Sequence, residues 1–199
     1  MLIAVIAIII LTTKFKIHAF LALFIISILY GIFAGMPYAE IIISINDGFG
    51  GTLGKIGLII VLGVIIGAFL EHTGGAFAIA EKVLSIIGKK RVPTAMGIIG
   101  YIVSIPVFAD SGFMLLHPLN KSLSKKAKIS IAGPAIALGL GLMASHTMVP
   151  PTPGPIAAAG ILGADLGLVI AFGFPTSIVA LIVGIIFAKK YASKTLIEP

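Results

Sequence analysis

The chain contains no cysteine and no tryptophan in 199 residues. Without cysteine there is no disulfide framework and no thiolate metal site. Without tryptophan, aromatic anchoring at a membrane surface falls to Tyr30, Tyr38, Tyr101 and Tyr191. Charge is scarce as well: 11% of residues are Asp, Glu, Lys or Arg, where a soluble domain carries about 25%. No basic stretch precedes the first apolar run and no small-residue cleavage site follows it, so a cleavable signal peptide is not expected. There is no His-Glu-x-x-His and no Gly-x-Ser-x-Gly, and only one carboxylate, Asp110, falls inside apolar sequence. A membrane-embedded hydrolase built on Asp110, His117 and His146 would therefore lack the second acid of a dyad or metal site. The chain reads as a non-enzyme, with no cofactor and no metal.

What is present points to a membrane. Apolar residues make up 59% of the chain and the mean hydropathy is +1.20. The net charge of +7 would, in a soluble protein, raise the question of nucleic acid. Here the cations sit in short clusters between apolar runs and read as topology determinants, so no nucleic-acid partner is expected. The fold class is all-α: a polytopic membrane protein.

Residues 2–11 form a short apolar run, below the roughly 17 residues a span needs. Residues 17–35 and 53–70 form full spans, separated by an expected loop at 36–51 with Glu40, Asp47 and a glycine cluster. Together 1–70 read as scaffold spans. Over 76–87, Ala76, Phe77, Ala80, Val83, Leu84 and Ile87 share one helical side, with Glu81, Lys82 and Ser85 opposite. That pattern predicts an interfacial amphipathic helix, closed by Lys89, Lys90 and Arg91, in a segment 71–92. The transport part is 93–199: a hairpin 93–119, a broken helix 129–163 and a final span 166–188. The expectation is about five membrane-spanning helices, an interfacial helix and a re-entrant helical hairpin.

If the hairpin enters and leaves on one side, 13 of the 14 basic residues lie on the cytoplasmic side, with Lys55 alone outside. A single crossing would erase most of that bias. The topology expected is therefore N-terminus outside and C-terminus cytoplasmic, in the inner (plasma) membrane.

Two interruptions carry the chemistry. Ile105-Pro106-Val107-Phe108-Ala109-Asp110-Ser111-Gly112 breaks the hairpin, and His146 to Pro155 breaks the next helix with Pro150, Pro151, Pro153 and Pro155. Proline cannot continue a helix, and broken backbone at membrane depth survives only against protein or a water-filled cavity. Secondary transporters build substrate sites from such breaks. Their helix N-termini attract anions, and Gly112 and Gly154 allow close approach to the backbone. Asp110, as an intramembrane acid, reads as functional, although Asp110 and Ser111 would also suit a helix cap. His146 sits at a break and titrates near neutrality, so Asp110 and His146 are the candidates for proton coupling. Ser111, Ser145, Thr147 and Thr152 offer hydroxyls to a polyol, although such hydroxyls also bond their own helix carbonyls. Pro106, Pro150, Pro151 and Pro153 act by keeping the chain unwound. Gly63 and Gly67 make a pair suited to close helix packing.

The stretches Ile105 to Phe113, His146 to Pro155 and Ala157 to Asp165 resemble the gluconate permease family. So do Ala34-Gly35-Met36-Pro37, Gly50-Gly51-Thr52-Leu53-Gly54 and Lys90-Arg91-Val92-Pro93. The resemblance runs along essentially the whole chain, with departures at Thr152, where the family often has histidine, and at Ala109, where it often has phenylalanine. It implies a sugar-acid:proton symporter of the ion transporter superfamily, with a sugar-acid anion and protons as its cargo. Family members are about twice as long and built from two inverted repeats, so the chain matches the first repeat. A second repeat, a homologous half or a second copy of the chain is the partner this implies. Rival readings are a transporter of lactate, citrate or a dicarboxylate, and a non-transporting remnant.

Overall fold

The computed structural model describes residues 1–88 and 91–198. The expected closing cluster Lys89-Lys90 falls outside them. The described residues form helices joined by short turns: α1 (Leu2–Thr13), α2 (Ala19–Phe33), α3 (Tyr38–His72), α4 (Gly75–Ile87), α5 (Val92–Val103), α6 (Ala109–Ala127), α7 (Ala132–Met148), α8 (Pro153–Leu162) and α9 (Leu166–Lys190), then a 3-10 turn at Ala192–Lys194. Among the described residues, three helical stretches are long and apolar enough to cross a bilayer: Tyr38–His72, Ala132–Leu162 across the α7–α8 break, and Leu166–Lys194. Shorter apolar helices are α1, α2 and α5. The all-α polytopic class agrees with the long apolar runs, since a helix bonds every peptide group within its own segment in lipid.

One expected element is different. The loop at 36–51 does not form, because α3 begins at Tyr38 and runs through Gly48, Gly50 and Gly51. In a helix each costs only about 1 kcal/mol relative to alanine, less than an unbonded peptide group in hydrocarbon. Thr52 reinforces the turn by donating to the Gly48 carbonyl at 2.7 Å. Glu40 sits in the first turn, where the helix dipole favours an acid.

The chain forms two compact units, Met1–Lys55 and Ile56–Pro199. The first consists of α1, α2 and the start of α3, where Gly31 lets Ile41 pack against α2. The second holds the main core. Ala76, Ala80, Val83 and Leu84 of α4 are buried with Val92, Met96, Ile99 and Val103 of α5, Leu116 and Leu123 of α6, and Leu138 and Leu142 of α7. The apolar side of the amphipathic helix is thus covered by protein, while Glu81, Lys82 and Ser85 are exposed. α5 and α7 approach backbone to backbone. A Cβ on Gly141 would strike the Gly97 carbonyl, and one on Gly100 would meet Leu138 and Leu142. Small residues let helices pack this closely where no water is present to drive them together. A buried bond of 2.7 Å between the Tyr101 and Ser177 hydroxyls ties α5 to α9. α9 starts at Asp165, whose carboxylate accepts the Leu168 N–H at 2.9 Å, a standard N-cap.

Candidate functional site

Both breaks exist and both are tighter than the sequence reading. The hairpin break is 104–108, between α5 and α6, and the second is 149–152, between α7 and α8. Residues 109–112 have joined α6, and the expected Asp110–Ser111 cap does not form. The N-cap is Phe108, in extended conformation at φ −60 and ψ 144, and Asp110 lies in the first turn. There its charge faces the positive end of the helix without a capping bond. His146 and Thr147 belong to the last turn of α7, and Pro153, Gly154 and Pro155 to the first turn of α8. Two prolines in that first turn are tolerated because its N–H groups have no helical partner anyway.

The two breaks meet. Ile105, Pro106, Val107 and Phe108 from the first, and Pro151, Thr152 and Pro153 from the second, line one small cavity with Gly63 and Val64 of α3. The N-cap residues of α6 and α8, Phe108 and Thr152, are both in its wall. Gly63 and Gly67 make the meeting possible. A Cβ on Gly63 would lie 3.2 Å from the Pro151 carbonyl oxygen, and a Cβ on Gly67 would strike the Pro106 carbonyl. The pair read from sequence as a helix-packing motif is instead a seat for two non-helical carbonyls. Gly173 of α9 leaves comparable room for the Met148 carbonyl.

Thr152 closes the second break. It is 5% exposed, and its hydroxyl lies 2.7 Å from the His146 carbonyl and 2.8 Å from the Val149 carbonyl. It holds a carbonyl freed at the end of α7, which helix geometry would otherwise leave unbonded. The Pro150–Pro151 peptide bond is cis. The His146 and Phe108 rings meet in a T-shaped arrangement at a centroid distance of 5.8 Å, and the His146 Nδ1 is buried without a hydrogen-bond partner. Asp110 is exposed. Gly112 packs on Leu142 of α7, with 2.9 Å available to a Cβ. These contacts bring Phe108, His146 and Thr152 together, with Asp110 and Gly112 following Phe108 in the first turn of α6.

The remaining predicted residues stand apart from the cavity wall. Ser145 is fully buried and its hydroxyl faces the Leu142 carbonyl at 3.4 Å. Thr147 is exposed and donates to the Met143 carbonyl at 2.7 Å. Both hydroxyls are turned onto their own helix. Ser111 is half-buried, and Gly154 is exposed with open space where a Cβ would be. Sequence reasoning missed Phe108 and the seating role of Gly63 and Gly67. The four-residue glycine spacing was visible; that its partner would be a break and not a helix was not. Among the described residues no three His, Asp or Glu side chains gather where a metal could bind.

The arrangement leaves several donors free. The N–H groups of Ala109, Asp110 and Ser111 open α6 without helical acceptors. At α8 the prolines remove two donors, and Gly154 supplies the one left. The cavity itself, about 10 Å³, has room for no more than a water molecule.

The family described as GntP family permease matches the chain across residues 1–199. An uncharacterized permease of Haemophilus influenzae is 41% identical over 194 residues, covering 98% of this chain and 40% of that protein. A gluconate permease of Pseudomonas aeruginosa is 40% identical over 183 residues, covering 90% of this chain and 41% of the relative. The D-serine transporter DsdX of Escherichia coli is 37% identical over 187 residues, covering 92% and 41%. The chain spans about two fifths of the length of the curated relatives it matches. No solved structure matches it.

Proposed function

The chain belongs to the GntP family of permeases, and we propose that it supplies one half of a proton-coupled secondary transporter for a sugar acid such as gluconate. The observation that carries the reading is the meeting of two broken elements on one glycine seat, with two helix N-termini opening beside it. A cavity of about 10 Å³ cannot hold a sugar acid, so the substrate belongs at the open rim, against Asp110, Thr147 and Gly154. Its carboxylate would take the free N–H groups of α6 and of Gly154, where the dipoles favour an anion. Its hydroxyls would reach Ser111 and Thr147. The relatives named for gluconate and for D-serine point to small molecules that share a carboxylate and at least one hydroxyl, D-serine adding an ammonium. Another organic anion, lactate, citrate or a dicarboxylate, is the second reading.

Asp110 and His146 are the proton-coupling pair in this scheme. A protonated Asp110 admits an anion to the α6 terminus, and an ionised one repels it. The opposite wall of the site belongs to a second inverted repeat, a homologous half or a second copy. The hairpin is re-entrant from the cytoplasm: α5, at 12 residues, is about 18 Å long and cannot cross a hydrocarbon core of about 30 Å.

The test uses the chain reconstituted in vesicles with a matching second half. Gluconate should accumulate under a pH gradient. Asp110→Asn should abolish that accumulation while gluconate exchange partly survives, since asparagine preserves the local polarity without the titration. Accumulation at the normal rate in Asp110→Asn would refute the coupling role. A cysteine placed at Thr147 should be protected from alkylation by gluconate and not by glucose. Protection by citrate alone would move the assignment to the second reading, and the absence of any uptake would leave a non-transporting remnant.

A further inference from the structure

Two basic clusters far apart in sequence are pinned together at one end of the second unit. Lys125, Lys126 and Lys128 end α6, while Lys189, Lys190 and Lys194 end α9. The Ser130 hydroxyl lies 2.6 Å from the Thr195 carbonyl and accepts the Ile197 N–H at 3.1 Å, and the Ile131 N–H donates to the Ile197 carbonyl at 3.1 Å. Gly133 lies directly against Ser193. This clasp lays the residues after α9 along the start of α7, two positions from Lys128. The six lysines are exposed. Glu198 follows the clasp in sequence, and Asp165 caps the opposite end of α9.

Lys128 is held in a conformation that argues for its charge. It caps α6 in the left-handed region at φ +53, with the Ile129 N–H bonded to the Ser124 carbonyl at 3.1 Å. Glycine is the usual residue there, because a Cβ is penalised. A lysine stands where glycine would fit better. The positive-inside bias depends on how many Lys and Arg flank the spans and requires neither the clasp nor this conformation.

The surroundings identify the ligand. Tyr191, with Lys190 and Lys194 at 5.8 and 5.9 Å from its ring centre, is an exposed aromatic of the kind found at headgroup depth. Immediately below it on α9, Val179, Val183 and Ile186 are more than half exposed, an acyl-chain surface leading up to the cations. We propose that Lys128, Lys190 and Lys194, supported by Lys125 and Lys189, form a docking surface for the headgroup phosphates of anionic phospholipid.

The test is lipid retention by the whole chain in neutral detergent, offered phosphatidylglycerol and phosphatidylcholine in equal amounts and analysed by native mass spectrometry. The wild-type chain should prefer phosphatidylglycerol by roughly tenfold or more, and the preference should shrink as salt rises. Lys128→Gln/Lys190→Gln/Lys194→Gln should bring the two lipids near parity, while Lys55→Gln should change nothing. Lys128→Gly separates charge from backbone: its melting temperature should hold or rise, yet its preference should fall about fivefold. An unchanged preference in the triple variant and in Lys128→Gly would overturn the proposal. So would displacement of the lipid by millimolar inorganic phosphate, which would mark a site for soluble anions.

Discussion

Gly67→Ala is the sharpest probe of how the two breaks are held. A Cβ at this position would strike the Pro106 carbonyl, with the Val107 Cα next behind it. Both are backbone atoms of the hairpin break and neither can swing aside as a side chain would. Overpacking of this kind costs about 1–3 kcal/mol. Against it stands the gain of about 1 kcal/mol that alanine brings over glycine in a helix. The net is a loss of up to about 2 kcal/mol. Gly54 lies in the same helix with nothing within 4 Å of its would-be Cβ, so Gly54→Ala should gain the helix term without the collision. For a chain of this size 1 kcal/mol moves the midpoint by about 2–4 °C. The two variants should therefore separate by several degrees in thermal unfolding followed by circular dichroism in detergent. Gly63→Ala, facing the Pro151 oxygen at 3.2 Å, should fall between them. If Gly67→Ala melts as high as Gly54→Ala, the glycine seat is not what positions the hairpin.

Thr152→Val removes the hydroxyl that holds the His146 and Val149 carbonyls and should cost about 1–3 kcal/mol, read as a lowered melting temperature that Thr152→Ser restores. Ser130→Ala opens the clasp on residues 195–197. A loss of about 1–1.5 kcal/mol there should speed tryptic cleavage after Lys194 roughly tenfold, with the rest of the chain resistant; equal cleavage rates would show that the clasp adds no protection. In the cysteine-free chain, Lys125→Cys should react with a membrane-impermeant maleimide from the cytoplasmic side alone, and labelling from outside would reject the re-entrant topology.

Much of the fold could be read from apolar run lengths and proline positions. Residues 17–35, 76–87 and 166–188 became α2, α4 and α9 within a few residues at each end. These signals are local, since a run of apolar residues has few options in lipid. The loop expected at 36–51 failed because single glycines cost a helix only about 1 kcal/mol each, too little to stop one with apolar helical sequence on both sides. The breaks were located and drawn too wide. Proline halts a helix only when it falls after the first turn, and Pro153 and Pro155 begin one. Within the site, the residue types were legible and their partners were not. That Thr152 would turn its hydroxyl to the His146 carbonyl, and that Phe108 would cap α6 and meet the His146 ring, depend on where two segments 40 residues apart come to rest. No periodicity encodes that.

The glycine seat also fixes an alignment. Gly63 and Gly67 stand one helical turn apart and receive one carbonyl each, Pro151 and Pro106. If α3 slid by a turn of about 5.4 Å in one direction, Gly67 would reach the Pro151 oxygen and Glu71 would arrive at Pro106. In the other direction Gly63 would reach Pro106 and Ile59 would arrive at Pro151. Either step keeps one glycine in contact and delivers a full side chain to the other carbonyl. The contact therefore has a single register, like a key with two notches. A slide of residues 59–71 along the breaks by one turn therefore meets a side chain whichever way it goes.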